Sequence, residues 1–280
     1  MAIIMDGRLV AKNLKARIAA KAATMKRTPG LAVVLVGDDP ASRLYVTNKR
    51  KDCTECGIRS EEHTLPATTK ERALLSLLEE LNQKEYIDGI LVQLPLPPGI
   101  SEEKVISAID PSKDVDAFHP YNVGKITTGN PVFLPCTPAG IISLLDSYSI
   151  DPDGKRCVVV GRSNIVGKPM ALLLLGRNGT VTICHSHTPD LADITKEADI
   201  LISAAGHPGL ITGEMIKEGA VVIDVAMNRN ENGIFCGDVV FSEVEPKASY
   251  ITPVPGGVGP MTRVMLLENT LTAAQMHMEG

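Results

Sequence analysis

Apolar, β-branched runs alternate with amphipathic stretches along most of this chain, and the alternation predicts strands and helices in turn. Residues 9–25, rich in Ala, Lys and Arg, have a helical pattern; 31–36 is a continuous apolar strand; 42–56 is helical and stops at Gly57. A weaker strand follows over 59–65, a strongly periodic helix over 69–83, and a buried strand over 89–93 that runs into LPLPP. Ser101-Glu102-Glu103 begins a capping signal for a helix reaching Ile109. Residues 110–137 break the pattern, as a loop-rich junction between two domains would. Beyond it, a helix starts at Thr137 with proline in its first turn, and strands are expected over 155–160, 180–185, 199–206 and 221–225. The segment 252–260 holds too much Gly and Pro for an element and is expected to be a functional loop, followed by a last helix over 261–277. This alternation predicts an α/β protein with parallel sheets wrapped by helices.

The sharpest local feature is the strand that ends at Gly161 and turns through RSNIV into a proline-started helix at Gly167. Glycines let backbone approach a ligand closely, and the helix N-terminus offers free N–H groups and a positive dipole end, so the unit suits a pyrophosphate. The spacing Gly-x-Ser-x-x-x-Gly departs from the regular Gly-x-Gly-x-x-Gly, and a bare turn between a strand and a helix would look similar. The next strand ends about 20 residues on, where an NAD site usually carries an acidic partner for the ribose. Here stand His185, Ser186, His187 and Thr188, with Arg162 beside the first glycine. Such groups accept a 2′-phosphate, so NADP is favoured over NAD.

Composition narrows the possibilities. Of 280 residues, 44% are hydrophobic and 22% charged, which suits a globular chain with a substantial core. The formal charge of −5 and the lack of a basic run argue against a nucleic-acid partner. No secretory signal or membrane-spanning apolar run is seen, so no membrane partner and a cytoplasmic location are expected. With no Trp, four Phe and five Tyr, the core must be built of aliphatic residues. Of six cysteines only Cys53 and Cys56 form a Cys-x-x-Cys pair, and no second pair completes a metal site, so reduced thiols that pack are expected.

Tyr45 and Lys49 stand four apart, so one helical turn brings a phenol and an amine to the same face. Gln93 at a strand end and Asp116 in the loop are further polar groups where open α/β sheets bind ligands. Individually each is ordinary for a surface helix or a loop. In chain order, however, stand VGDDPASRLYVTNK at 36–49, GILVQLPLP at 89–97, KDVD at 113–116 with FHP at 118–120, PCTP at 135–138, GRSNIVGKPM at 161–170 and TPVPGGVGPMT at 252–262. This series resembles the FolD family of bifunctional methylenetetrahydrofolate dehydrogenase/methenyltetrahydrofolate cyclohydrolases, from about Asp6 to Thr270.

The resemblance implies an N-terminal parallel-sheet catalytic domain that binds folate (1–136), a Rossmann-like NADP-binding domain (137–262), and a C-terminal helix (263–280) returning to the first. It places the folate in a cleft between the domains and implies a homodimer. Lys49 would be the central catalytic residue, Tyr45 would line the folate, Gln93 would tune Lys49, and Asp116 would hold the pterin's amino edge. Pro255, Gly256 and Gly257 would close one wall. Gly161, Arg162, Ser163, Ile165, Gly167, Ser186 and His187 would form the cofactor site, with Arg162 and Ser186 on the 2′-phosphate; no metal is implied. Ala117 stands where the family usually has Gly, and Ala226-Met227-Asn228 where it has Gly-Ile-Asn; a need for positive φ at either alanine would cost about 1 kcal/mol or more. Arg263 adds a charge to which the resemblance assigns no role.

Two other functions fit parts of this pattern. Short-chain dehydrogenases also use Tyr-x-x-x-Lys, but there it follows the glycine turn, whereas Tyr45 precedes Gly161. A nucleotide sensor without turnover would share the scaffold and show no absorbance change with NADP and methylenetetrahydrofolate.

Overall fold

The computed structural model describes residues 1–279 and divides into two compact units, Met1–Lys12 with Thr137–Thr262, and Asn13–Cys136 with the stretch from Arg263 onward. Along the chain run β1 (Ile3–Ile4), α1 (Gly7–Ala23), β2 (Gly30–Val36), α2 (Pro40–Glu55), β3 (Arg59–Leu65), α3 (Glu71–Gln83), β4 (Gly89–Val92) and α4 (Glu102–Ser107). Then come α5 (Pro120–Thr127), α6 (Cys136–Ser147), β5 (Arg156–Val160), α7 (Gly167–Gly176), β6 (Thr180–Cys184), α8 (Leu191–Thr195) and β7 (Ile200–Ser203). The chain closes with β8 (Val221–Asp224), β9 (Asn228–Arg229), β10 (Phe235–Cys236), α9 (Phe241–Val244), β11 (Tyr250–Ile251) and α10 (Val258–Glu279).

In the unit containing β2, a parallel sheet has the order β3-β2-β4. All seven residues of β2 are buried, as its unbroken apolar sequence requires, whereas β3 is polar (RSEEHTL) and forms an exposed edge. Helix α3 covers this sheet with Leu74, Leu78 and Leu81, spaced to fall on one face and all fully buried. They pack into one cluster with Ala32, Val34 and Val36 of β2 and Ile90 and Val92 of β4. Burying each leucine stabilises this unit by about 1.5–3 kcal/mol.

The other unit holds a six-stranded parallel sheet in the order β1-β11-β8-β7-β5-β6. From β5 the chain steps to β6 on one side and then returns to β7 on the other. The C-terminal end of β5 is therefore a topological switch point, where sheets of this kind bind their ligands.

Three expectations need correction. The first twelve residues belong with the six-stranded unit and not with the 1–136 segment, because β1 pairs in parallel with β11 and Met5 N donates to Ile251 O at 2.8 Å. The loop-rich junction at 110–137 contains α5, whose start is marked by Pro120 and by the His119 ring, which accepts from Tyr121 N at 3.0 Å. Within the segment at 252–260, α10 already begins at Val258.

Candidate active site and cofactor cradle

Helix α2 opens at the C-terminal side of β2. Asp39 caps it by accepting from Ser42 N at 2.8 Å, and Pro40 occupies the first turn. From there Tyr45, Lys49 and Asp52 follow at helical spacing on one face. Gln93 directly follows β4, the parallel neighbour of β2, with its N–H donating to Val34 O at 2.8 Å. Its side-chain amide is fixed at both ends: Nε2 donates to Leu94 O at 2.7 Å, and Oε1 accepts from Lys49 Nζ at 3.0 Å. Lys49 carries up to three N–H groups, and Gln93 is its one hydrogen-bond partner among the described residues.

The loop bearing Asp116 adjoins β4 through a bridge between Ile90 and Asp114. Asp114 is 2% exposed, and its carboxylate accepts from Phe118 N (3.3 Å), His119 N (2.8 Å) and Asn122 Nδ2 (2.8 Å), which closes the turn around Asp116. From α10, Asn269 Nδ2 donates to Val115 O at 2.8 Å and Leu134 O at 2.9 Å. Ala117 is fully buried at φ +59°, so this is a left-handed position that costs an alanine about 1–2 kcal/mol. Ala226 is not among the positive-φ residues and carries no such strain.

Burial dominates the electrostatics of this cluster. It pushes the Lys49 ammonium below the usual lysine range; the Asp116 charge opposes this and Arg263 reinforces it. Burial likewise pushes the Asp116 and Asp114 carboxyls up, and the charge of Lys49 opposes the shift at Asp116. The Tyr45 phenol is raised by burial and stays protonated. Two thiols face Lys49: Cys53 is pushed up to about 12 and Cys136 well above its ordinary value, both chiefly by burial. Protonated buried thiols are poor nucleophiles, so neither cysteine offers one here. Cys53 and Cys56 are free and buried, as expected of packing residues, and no group of three or more His, Cys, Asp or Glu gathers for a metal among the described residues.

In the other unit, the turn after β5 sits at the switch point. Gly161 has φ +131°, and a Cβ there would lie 2.4 Å from Ala204 O, just past β7. A Cβ on Gly167 would lie 2.2 Å from Gly161 O, so the first turn of α7 closes tightly on the strand end. Ser163 Oγ accepts from Val166 N at 3.1 Å and Gly167 N at 3.3 Å and so shapes the turn from within. Arg162, Ser163 and Ile165 are exposed on its rim. Val160 of β5 pairs with Cys184 of β6, which sets Arg162 and Ser186 two residues beyond the same point on adjacent strands. Ser186 and His187 are exposed there, and His187 N donates to His185 Nδ1 at 3.2 Å. This rim of hydroxyl, imidazole and guanidinium, above a turn with no room for a Cβ, fits a phosphorylated dinucleotide. Pro255, Gly256 and Gly257 belong to this six-stranded unit, in the turn leading into α10, while Tyr45, Lys49, Gln93 and Asp116 belong to the other.

Two groups escape a reading of the sequence. Arg263 Nε donates to Asp52 Oδ2 at 2.7 Å, and Asp52, 5% exposed, also accepts from Lys15 Nζ at 3.0 Å. Asp238 is fully buried and gathers five donors from β7, the segment after it, and β9. Neither lies in a motif whose spacing announces a role.

Comparison with known proteins identifies the family and the fold. The catalytic-domain model of tetrahydrofolate dehydrogenase/cyclohydrolase matches residues 5–116, and its NAD(P)-binding-domain model matches residues 135–278. The bifunctional protein FolD of Magnetococcus marinus is 54% identical, with 98% of each chain covered. The crystal structure of the bifunctional FolD enzyme from Campylobacter jejuni superposes with a TM-score of 0.97 at 48% identity over 99% of each chain. The Trypanosoma brucei FolD, solved with NADP and an inhibitor, has a TM-score of 0.95 at 42% identity, over 100% of this chain and 99% of the other. This chain belongs to the tetrahydrofolate dehydrogenase/cyclohydrolase family.

Proposed function

We propose that Lys49 manages protons in the hydrolytic half of a two-step enzyme, which oxidises 5,10-methylenetetrahydrofolate with NADP and hydrolyses the methenyl product to 10-formyltetrahydrofolate. The observation that carries this is the environment of Lys49: a half-buried lysine whose amine is desolvated and of lowered proton affinity, aimed by Gln93 and left with donor positions for a ligand. When bound, NADP accepts the hydride from the bridging carbon of the folate. That step leaves an amidinium stabilised by two nitrogens and needs no protein base, so the chain's part is to hold the reactants in line.

Hydrolysis needs more. Water adds to the cationic carbon and gives its proton to the neutral Lys49 amine. The resulting ammonium then protonates N5 as the carbon–N5 bond opens, and the remaining hydroxyl proton leaves to solvent as the formyl group forms on N10. One amine serves both transfers when its pKa lies near the working pH, which burial and a cationic substrate both favour. Gln93 holds the amine in place, Tyr45 offers a phenol and a ring face to the folate, and Asp116 anchors the pterin's amino edge; Pro255, Gly256 and Gly257 wall the folate. Replacing Lys49 by Gln and following both half-reactions tests the assignment: loss mainly of hydrolysis supports it, and unchanged hydrolysis removes it.

Arg162 and Ser186, with His187 beside them, are assigned to the 2′-phosphate, above the turn formed by Gly161, Ser163, Ile165 and Gly167. A guanidinium–phosphate contact contributes about 1.5–3 kcal/mol. Arg162→Ala is therefore expected to raise KM for NADP roughly 10- to 150-fold and leave KM for NAD nearly unchanged. Steady-state kinetics with both cofactors check this, and equal effects would remove the assignment.

No helix is long and apolar enough to cross a membrane, and a cytoplasmic location with no membrane or nucleic-acid partner is proposed. A homodimer is proposed by analogy with the family. Light scattering at micromolar concentration is expected to give twice the chain mass, and a clean monomer would end that analogy.

A further inference from the structure

The face of α2 that carries Tyr45 and Lys49 continues one turn further to Asp52, and that third position holds a cation. Arg263, from the first part of α10, donates from Nε to Asp52 Oδ2 at 2.7 Å. Asp52 is itself held by Lys15 from α1, at 3.0 Å, and Lys15 also pairs with Glu55. The guanidinium is thus tied at one nitrogen, while Nη1 and Nη2 have no partner among the described residues. Its side chain is 29% exposed, and its charge acts on both Tyr45 and Lys49.

We propose that Arg263 is a positioning residue of the active site: clamped by Asp52, one helical turn from Lys49, its fixed positive charge moves the pH range in which Lys49 works as a base downward. The inference rests on the assignment of Lys49 as the proton-transfer group.

The titratable and charged groups facing Lys49 are few. Cys53 from α2, Asp116 from the loop after β4, Cys136 from the start of α6 and Arg263 from α10 act on it, while Tyr45 and Asp52 stand four residues before and three after it on the same helix face. Tyr45 and both thiols stay protonated, because burial raises them all. That leaves two carboxylates, which favour the ammonium, and one guanidinium, which opposes it. Asp52 sits three residues from Lys49, and with Arg263 removed its charge is paired only with Lys15. Without Arg263, Lys49 therefore holds its proton to higher pH. Lysine can keep a charge at position 263; methionine and glutamine fill similar volume without one.

The experiment is a pair of titrations on the full-length protein carrying Arg263→Met, Arg263→Gln or Arg263→Lys. The first follows the Lys49 side chain by NMR in protein labelled at lysine, its signal assigned by its absence in Lys49→Gln. The second follows the rising limb of cyclohydrolase rate against pH. In both neutral variants the NMR midpoint and the limb are expected to move up together by about half to one pH unit. In Arg263→Lys they are expected to stay near the wild-type position. No shift, or the same shift in all three variants, overturns the proposal, since a packing role would not distinguish charge from shape. A limb that moves without the NMR midpoint overturns it as well. An NMR midpoint that moves without the limb supports the charge effect of Arg263 on Lys49 and overturns the assignment of Lys49 to hydrolysis.

Discussion

Lys49→Gln is expected to lower cyclohydrolase activity by about 10²–10⁴-fold, the usual contribution of a positioned proton-transfer group, while dehydrogenase activity falls much less. The substitution keeps a hydrogen-bonding side chain opposite Gln93 Oε1, which now accepts from Lys49 Nζ at 3.0 Å, while it removes the capacity to take and return a proton together with the ammonium charge and some length. If hydride transfer depends mainly on alignment, it survives that change to the extent that a glutamine amide can position the folate. Asp116→Ala gives the contrast. In the proposed role of pterin anchor, Asp116 would contribute to binding in both steps, so its loss is expected to weaken both half-reactions together, chiefly through KM. Measuring the two rates in the two variants separates proton transfer from binding. Hydrolysis near wild type in Lys49→Gln would show that Lys49 is a structural lysine on α2, and equal loss of both activities would make it an anchor.

Much of this arrangement is legible in the chain because its signals are local. The β2 run is apolar throughout and β5 is apolar after its first residue, Arg156, as strands covered on both faces must be, and α3 announces itself by three leucines on one face. The turn at Gly161 is readable because a Cβ there would meet the backbone of Ala204, which confines the position to glycine. Tyr45 and Lys49 share a helix face by spacing alone. What could not be read depends on partners far away in sequence. The two-residue strands β1 and β11 have no pattern of their own and exist because their backbones complete a sheet. Arg263 reads as an unassigned charge until α10 brings it to Asp52, 211 residues earlier. Ala117 looks like a harmless replacement until its φ of +59° is seen.

Asp238→Ala is expected to lower the unfolding free energy by about 3–5 kcal/mol, a large loss for a single truncation, because one buried carboxylate gathers the donors of the segment after β7, whose own backbone adds only a bond from Leu210 N to His207 O at 3.3 Å. Its Oδ2 accepts from Ser203 Oγ (3.0 Å), Ala205 N (2.8 Å) and Gly206 N (3.2 Å), and its Oδ1 from His207 N (2.7 Å) and Asn228 Nδ2 (2.9 Å). Asp238 is held in turn by Asp224 at the end of β8, which accepts from its N–H at 3.0 Å. Alanine leaves five donors without an acceptor, and each costs about 1–3 kcal/mol if it stays dry. Solvent entering beside Gly206 relieves part of that, so the sum of the five is an upper bound and the expected loss lies well below it. The affected segment follows β7, whose end meets the Gly161 turn through Ala204, so the damage extends to the switch point. Urea unfolding measures the first effect. The increase in melting temperature on adding NADP measures the second and is expected to shrink in the variant. A variant with wild-type stability and a full NADP response would show that the segment after β7 keeps its shape without the carboxylate, and that the five hydrogen bonds follow the fold instead of enforcing it.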